Sequence, residues 1–372
     1  MERVLQGLGS LNMGGAETMV VNVLENLDRR KVTFDFVITG AEEGLLEPRV
    51  TRLGAKVYHM PKRSESFWKS HRVFYRVVRD GSYRTVHLHT QNAFFTALHV
   101  WLARRAGAET IIVHSHNTMD WRGGLTLRLH KACRGWLYRH ADVRLACGKE
   151  AAEWLFGTTE GVEVLPLPVC CDAFRFDEAK REIIRAEMGL SGKTVYLHVG
   201  RFMDVKNHAF LIRVFEEIHR RKPESALLLV GDGALRADAE KQVRDAGLTD
   251  CVFFMGNIAD VADKMIAADA MIFPSKYEGF PTVLLEAQAA GLDAFVSDSI
   301  TSEIALTGRI HPLALADGEK AWAEAILGTP RAAHREEDNA VVRRKYDVSV
   351  VAQRLTRMYT QPRKAAEAIN RC

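Results

Sequence analysis

No apolar run in this 372-residue chain reaches the roughly 18 residues that a bilayer-spanning helix needs, which excludes such a helix. The start, MERVLQGLGSLNMGG, has no basic stretch followed by a long apolar core, so no secretory leader is expected. Cysteine is scarce: Cys133, Cys147, Cys170, Cys171, Cys251 and Cys372, with no pair at metal-ligand spacing. Adjacent Cys170 and Cys171 are poorly placed for a disulfide. A cysteine-based zinc site and a disulfide scaffold are thereby excluded, and a reducing compartment with buried thiols is expected. The first strand is not followed by G-x-G-x-x-G and a ribose-binding acid, which argues against a dehydrogenase. There is no internal repeat and no low-complexity tract. The formal net charge of +4 says little about partners. The location expected is cytoplasmic, with peripheral contact to the cytoplasmic face of a membrane left open.

What is present is ordinary for a globular protein, 47% hydrophobic and 26% charged, in a length that supports two domains with a core each. Short β-branched runs alternate with helical stretches. Strands are expected at 4–8, 32–38, 55–60, 85–89, 110–116 and 143–147. A second set is expected at 194–200, 225–231, 251–256, 270–274 and 294–298. Helical patterns such as 16–27 and 93–106 fill the gaps. This alternation predicts parallel sheets covered by helices on both faces. One sheet of all these strands would be unusually wide, so the fold class is α/β with two doubly wound domains. PLPVCCDAFRFDEAK (166–180) carries two prolines and a polar stretch and marks the boundary. The expected domains are 1–168 and 169–345, with a C-terminal helix in 346–372 returning toward the first. Residues 331–340 read as a polar connector and 346–361 as the last amphipathic helix.

In open α/β sheets ligands bind beyond the carboxyl ends of the strands, which directs attention to the strand-to-helix loops. GLGSLNMGGAE (7–17) follows a strand and opens a helix. Gly14 and Gly15 would let backbone N–H groups approach a phosphate there, although a plain tight turn fits equally well. HVGRFMDVKNH (198–208) sets Arg201 and Lys206 between a strand end and a helix. Two cations beside a helix N-terminus suit a phosphate clamp better than a pair of solvated surface charges. LLLVGDGALR (227–236) is a strand followed by a glycine turn, taken as a pocket wall. EGFPTVLLEAQAAG (278–291) has Pro281 suited to a first helical turn and Gly291 to a stop. That places Glu278 in a loop and Glu286 within a helix that is apolar nearly all round, hence buried. A buried carboxylate needs donors. Vicinal ribose hydroxyls would supply them; an Arg or Lys from a neighbouring helix is the structural alternative.

His87, His89, His114 and His116 end two strands of the first half. Alternation puts His87 with His89, and His114 with His116, on one face each. Metal binding is open to them, yet no carboxylate or cysteine accompanies them at ligand spacing. A lone histidine is more often a satisfied core residue, but four at two strand ends are harder to set aside.

These pieces together resemble the retaining glycosyltransferases of GT-B fold in family 4, and most of all bacterial exopolysaccharide and capsule enzymes. The resemblance covers almost the whole chain. It rests on GGAE (14–17), HSHN (114–117), the GR-x4-KN segment (200–207), the GDG turn (231–233) and PSKYEGFPTVLLEAQAAGL (274–292), whose E-x7-E pair is Glu278 and Glu286. It implies two Rossmann-like domains facing across a cleft, and no metal or other cofactor. It implies a nucleotide-sugar donor, UDP-linked, and a lipid-linked or polysaccharide acceptor, with no nucleic-acid partner. At the matching positions Arg201 and Lys206 would bind the diphosphate and Glu286 the ribose. Glu278, Gly279, Phe280, Pro281 and Thr282 would meet the sugar side of the donor. Gly14 and Gly15 would crowd the phosphates, and Gly256, Asn257 and Ile258 would line the base. His89 or His116 would contact the donor sugar near the reacting carbon. The leaving phosphate would help deprotonate the acceptor. Where related chains read P-N-x-I-D, this one has Pro166, Leu167, Pro168, Val169 and Cys170, and the ACS-x-x-A pattern appears as Ala146-Cys147-Gly148. Both departures bear on the hinge and acceptor side. The rival readings are a UDP-sugar epimerase of the same architecture and a non-catalytic, nucleotide-sugar-binding partner subunit. The latter is disfavoured because Arg201, Lys206, Glu278 and Glu286 occur together.

Lys69, Arg72, Arg76 and Arg79 recur as one helical stripe interleaved with Phe67, Trp68, Phe74 and Tyr75. Five more cations and no acid lie within 121–140. Basic amphipathic helices with aromatics lie on anionic membranes. Membrane contact through 62–80 and 121–140 is therefore expected, with a solvated helix face as the alternative.

Overall fold

The computed structural model describes residues 1–12, 14–90, 92–116, 124–258, 260–330 and 336–369. The chain forms two compact units, Met1–Pro168 together with Val348–Cys372, and Val169–Asp347.

Unit 1 is built on a parallel sheet of β1 (Glu2–Gly7), β2 (Val32–Thr39), β3 (Val57–Met60), β4 (Thr85–Thr90), β5 (Thr110–Ser115), β6 (Val143–Ala146) and β7 (Glu163–Val164). The spatial order is β3-β2-β1-β4-β5-β6-β7. β5 is buried along its whole length and β2 at all but its last residue, as a sheet covered on both faces requires. The order reverses between β1 and β4, so their following loops leave in opposite directions and open a crevice at the strand ends. The helix Val348–Thr360 belongs to this unit. It buries Val348, Val351, Ala352, Leu355, Met358 and Tyr359 as one stripe, packed on β1, β2 and the helix Gly15–Asn26.

Unit 2 repeats the design with β8 (Thr194–Val199), β9 (Ser225–Val230), β10 (Val252–Gly256), β11 (Ala270–Phe273), β12 (Asp293–Ser297) and β13 (Ile310–Leu313), in the order β10-β9-β8-β11-β12-β13. Its crevice therefore lies between β8 and β11. Apolar clusters cover both sheet faces. A buried Arg181–Asp269–Arg185 group ties the start of β8 to the end of the helix Val261–Ala267.

Several expectations are corrected. β7 has two residues and the edge strand β13 contains Pro312, so neither carried a recognisable strand pattern. The connector expected over 331–340 is helical from Glu336, in the helix Glu336–Tyr346, while 331–335 lie outside the described residues. The single last helix expected over 346–361 is broken at Asp347, whose carboxylate accepts the Cys171 N–H at 3.2 Å, and a further helix follows at Pro362–Ile369. The thiols are not uniformly buried: Cys171 and Cys251 are, whereas Cys133, Cys147 and Cys170 are partly exposed.

Candidate active site

In unit 2 the loops leaving β8 and β11 are stitched together. After β8 the chain passes Gly200 and Arg201, makes a tight turn at Asp204–Lys206, and enters the helix His208–Arg221 through Asn207, which has φ of +58°. The Asn207 amide donates to the Pro274 carbonyl at 3.2 Å, and the Lys276 N–H to the Val205 carbonyl at 2.8 Å. Lys276 also pairs with Asp204 at 2.7 Å. This brings Lys206 Nζ to 2.6 Å from Glu278 Oε1 and 5.0 Å from the centre of the Phe273 ring. A Cβ on Gly200 would stand 3.3 Å from Lys206 Cδ and 2.9 Å from His198 Nε2, so only glycine leaves the lysine stem its place. Arg201, in the same loop, is exposed and has no partner among the described residues.

The GDG turn does more than wall a pocket. Gly231 has φ of +131°, and a Cβ there would fall 2.2 Å from the Gly200 carbonyl oxygen. The turn's backbone holds the cation loop directly: Phe202 N–H donates to the Asp232 carbonyl at 3.1 Å and Leu235 N–H to the Phe202 carbonyl at 3.0 Å. Gly256, at the end of β10, accepts the Gly231 N–H at 2.8 Å. Beyond it Asn257 is exposed and Ile258 packs on the core.

The helix expected over 282–290 is observed as Thr282–Ala289, with Pro281 as its N-cap rather than in its first turn. Gly279, Phe280 and Thr282 are partly exposed, and Phe280 stacks on Tyr346. Its two interior polar residues separate cleanly. Gln288 is fully buried and satisfied: its amide donates to the Leu284 and Ile304 carbonyls and accepts from Leu306 N–H, Thr307 N–H and the Thr307 hydroxyl. Glu286 is half-buried and has no partner among the described residues. Desolvation raises its carboxyl to about 7. The structural alternative, an Arg or Lys partner for Glu286, is absent among the described residues. Taken together, a free guanidinium, an ammonium and a helix N-terminus around one strand-end crevice favour a polyanion, and an unpartnered carboxylate favours a hydroxyl-bearing group.

Unit 1 has its own cavity, of about 190 Å³, at the β1/β4 switch point. Gly7, Gly9, Glu17, Arg63, His89 and His116 are among its walls. Gly14 caps the helix Gly15–Asn26 and Gly15 is exposed at its start. The four strand-end histidines meet on one sheet face, with His114 and His116 ring centres 4.0 Å apart and His87 and His89 4.2 Å apart. Burial drives His87, His89 and His114 well below the usual histidine range, and His116 down to about 3, so all four are neutral. Ligand atoms of His87, His89 and His114 lie within 4.8 Å of one another, near enough to suggest a metal. Yet both His89 nitrogens are already bonded, to Gln6 and to His116, so an ion would first have to break that pairing.

Asn207, Gln6 and Tyr359 were missed from the sequence. The KN pair in the cation loop pointed to the first; nothing local marks the other two, because their partners lie on distant segments.

Residues 13–172 match the family model described as Glycosyltransferase Family 4, and residues 193–329 the one described as Glycosyl transferases group 1. The chain is 34% identical over 341 residues to EpsF of Bacillus subtilis (strain 168), assigned as a glycosyltransferase, with 87% of each chain covered. It is 30% identical over 208 residues to a GDP-mannose-dependent alpha-(1-6)-phosphatidylinositol monomannoside mannosyltransferase of Mycolicibacterium smegmatis, covering 51% of this chain and 53% of that one. Among solved structures, HepE of Anabaena, crystallised with UDP and glucose, superposes with a TM-score of 0.77 over 97% of this chain and all of HepE, at 16% identity. Two switch-point crevices on two parallel sheets, and these matches across both halves, give one conclusion: the chain belongs to the group 1, family 4 glycosyltransferases and has their GT-B fold.

Proposed function

We propose that this glycosyltransferase moves a hexose or N-acetylhexosamine from a UDP-sugar, with retention of configuration, to a lipid-linked or polysaccharide acceptor in exopolysaccharide or capsule synthesis. The observation that carries the donor side is the unit-2 crevice, where Lys206 and Glu278 pair, with Arg201 in the same loop and Glu286 in the helix that follows, neither having a partner among the described residues. Arg201 and Lys206 hold the diphosphate, and their charge stabilises the departing nucleotide, so no metal is required for the step. Glu286 accepts from the ribose hydroxyls. Glu278 and the backbone at Gly279, Phe280, Pro281 and Thr282 hold the sugar. Gly256, Asn257 and Ile258 line the base. On the other unit, Gly14 and Gly15 crowd the phosphates, and His89 or His116 meets the sugar. The bond from the anomeric carbon to the β-phosphate oxygen breaks. A glycosidic bond forms on the same face, and the acceptor hydroxyl proton passes to the leaving phosphate. Lys206 has to exchange Glu278 for phosphate when the donor binds. Each partner then finds a new charge or hydroxyl, which keeps neither buried unpaired.

UDP with HepE supports uridine, while the mycobacterial relative's name carries GDP-mannose and a lipid acceptor. Thermal shift against UDP-, GDP-, ADP- and dTDP-sugars decides the base, since a donor raises the melting temperature by mass action. NMR of the product's anomeric centre decides retention, and activity unchanged by EDTA is the expected result for metal independence.

A membrane-facing surface fits unit 1. The helix Phe67–Asp80 buries Ser70, His71, Phe74 and Val78 and exposes Lys69, Arg72, Arg76 and Arg79, together with Trp68 at 80% exposure. Trp101, on the helix Ala93–Arg105, and Leu125, at the start of Leu125–His140, are also exposed on the neighbouring helices. Residues 121–123 of the second expected segment lie outside the described residues. Co-sedimentation with anionic vesicles at low salt is expected, and its absence removes the membrane from this reading.

A further inference from the structure

The hydrogen atoms on the unit-1 imidazoles are not independent of one another. Gln6 is fully buried in β1, with its amide oxygen 2.9 Å from His89 Nε2 and its amide nitrogen 3.3 Å from the Tyr359 hydroxyl. A carbonyl oxygen only accepts, so His89 carries its proton on Nε2 and a lone pair on Nδ1. His116 Nε2 lies 2.8 Å from that lone pair and must donate to it. His116 is then also the Nε2–H tautomer, and its Nδ1 is an acceptor with no partner among the described residues. At the other end, the Tyr359 oxygen accepts from Gln6 and gives its own proton to His87 Nδ1, 2.7 Å away. The ring of Tyr359 is fixed by edge-on packing against Phe34 at 5.6 Å.

Each bond in this series sets the direction of the next. Turning over the Gln6 amide would reverse all of them and move the His116 proton to Nδ1. The series has two self-consistent settings, and any mixture of the two would set donor against donor or acceptor against acceptor at one of its bonds. The neighbouring His114 does not interrupt it. Neither of its ring nitrogens makes a hydrogen bond, although the Leu165 carbonyl lies near enough to favour a protonated ring.

We propose that Gln6 and Tyr359 are positioning residues that fix the tautomer of His116 through His89, so that the last helix of the chain governs whether His116 Nδ1 is a donor or an acceptor. The tautomer claim stands on geometry alone; its kinetic consequence rests on the reading that His116 or His89 meets the donor sugar.

The test is 15N NMR of the histidine side chains in the full-length protein, with steady-state kinetics on the same samples. Wild type is expected to show Nε2–H at His89 and His116. Gln6→Leu is expected to lose the single tautomer at both. It should lower kcat about tenfold, the scale of a lost outer hydrogen bond, with donor KM held within about twofold. Gln6→Glu keeps an acceptor for His89 Nε2–H and is expected to restore the His116 signal. Tyr359→Phe removes one hydroxyl, retains the ring packing and frees the Gln6 amide to turn. It supplies the same spectral readout if Gln6→Leu fails to fold. An unchanged His116 tautomer in folded Gln6→Leu or Tyr359→Phe overturns the proposal. A changed tautomer with unchanged kcat upholds it and sinks instead the placement of these histidines at the sugar.

Discussion

The two units share one topology and one kind of crevice, but they fill it with opposite chemistry. Between β8 and β11 stand charges: Arg201 with no partner among the described residues, Lys206 paired with Glu278, and Glu286 raised to about 7 by burial. Between β1 and β4, and beside them on β5, stand neutral rings: His89 and His116 at the cavity, with His87 and His114 behind. Fold alone does not decide which chemistry a switch point receives; the loop and strand-end residues do. The difference teaches where each site stores its specificity. The charged crevice offers long-range attraction to an anion, which the proposed diphosphate would satisfy. The neutral one uses short hydrogen bonds whose direction matters.

Replacing Lys206 with alanine strikes hardest at the charged side. On the proposed function it removes the ammonium from the transition state, and it leaves Glu278 without its 2.6 Å partner. Transfer is expected to fall about 10²–10³-fold in kcat, as for loss of one preorganised charge-stabilising donor. Lys206→Ala combined with Glu278→Gln recovers thermal stability but not kcat. If the single variant kept wild-type rates, the charged crevice would not be the reacting site. Gly231→Ala comes next. The positive φ and the 2.2 Å approach to the Gly200 carbonyl forbid a Cβ, so the turn must shift and take the Arg201–Lys206 loop with it. A loss of about 3 kcal/mol in denaturant unfolding is expected, together with weaker donor binding. A wild-type unfolding midpoint would show that the turn does not brace the loop.

Much of this contrast was legible in the sequence. Strand alternation pointed to two doubly wound sheets, and glycine with paired cations after β8 marked the charged crevice. Glu286 stood out because a carboxylate in an apolar helix needs a reason. Its neighbour Gln288 looked alike on paper and differs only in tertiary partners, which no local pattern encodes. The neutral crevice was half legible. Histidines at two strand ends drew attention, but their network closes through Gln6 and Tyr359, hundreds of residues apart in the chain. Short edge strands such as β7 and β13 escaped because two residues, or four with a proline, carry no period to detect. The break at Asp347 escaped because it is made by a bond to Cys171 rather than by glycine or proline.

The pH dependence of stability separates the two crevices further. Glu286 has a folded-state value near 7, above its unfolded 4.5, so the native state holds the proton more tightly. Its contribution is fully present below pH 4.5 and is lost as pH rises through about 7. Glu286→Gln keeps the shape without the ionisation. It is expected to flatten that limb, gaining about 2 kcal/mol relative to wild type at pH 8 after discounting for partial exposure, while donor KM rises about tenfold. A parallel pH profile for the two proteins would mean that Glu286 is already solvated.

The histidine crevice has the reverse sign and the smallest effect at neutral pH. His114 is fully buried, and its folded value lies well below 6.5, so the unfolded chain takes up a proton that the native state refuses. Stability from this group is present above about pH 6.5 and is lost as pH falls toward its folded value. His114→Leu has nothing to protonate. Among the described residues the Leu165 carbonyl is a polar neighbour of the His114 ring nitrogens, and neither nitrogen has hydrogen-bond geometry to it. Near pH 7 the variant is expected to lie within about 1 kcal/mol of wild type, the two volumes being similar. Between pH 7 and pH 5 wild type should lose more stability than the variant, by at most about 1.4 kcal/mol for each pH unit below 6.5. Urea unfolding at the two pH values measures it. An equal loss in both proteins would mean that His114 ionises in the native state. The contrast between a charged and a neutral crevice would then fail at its most buried ring.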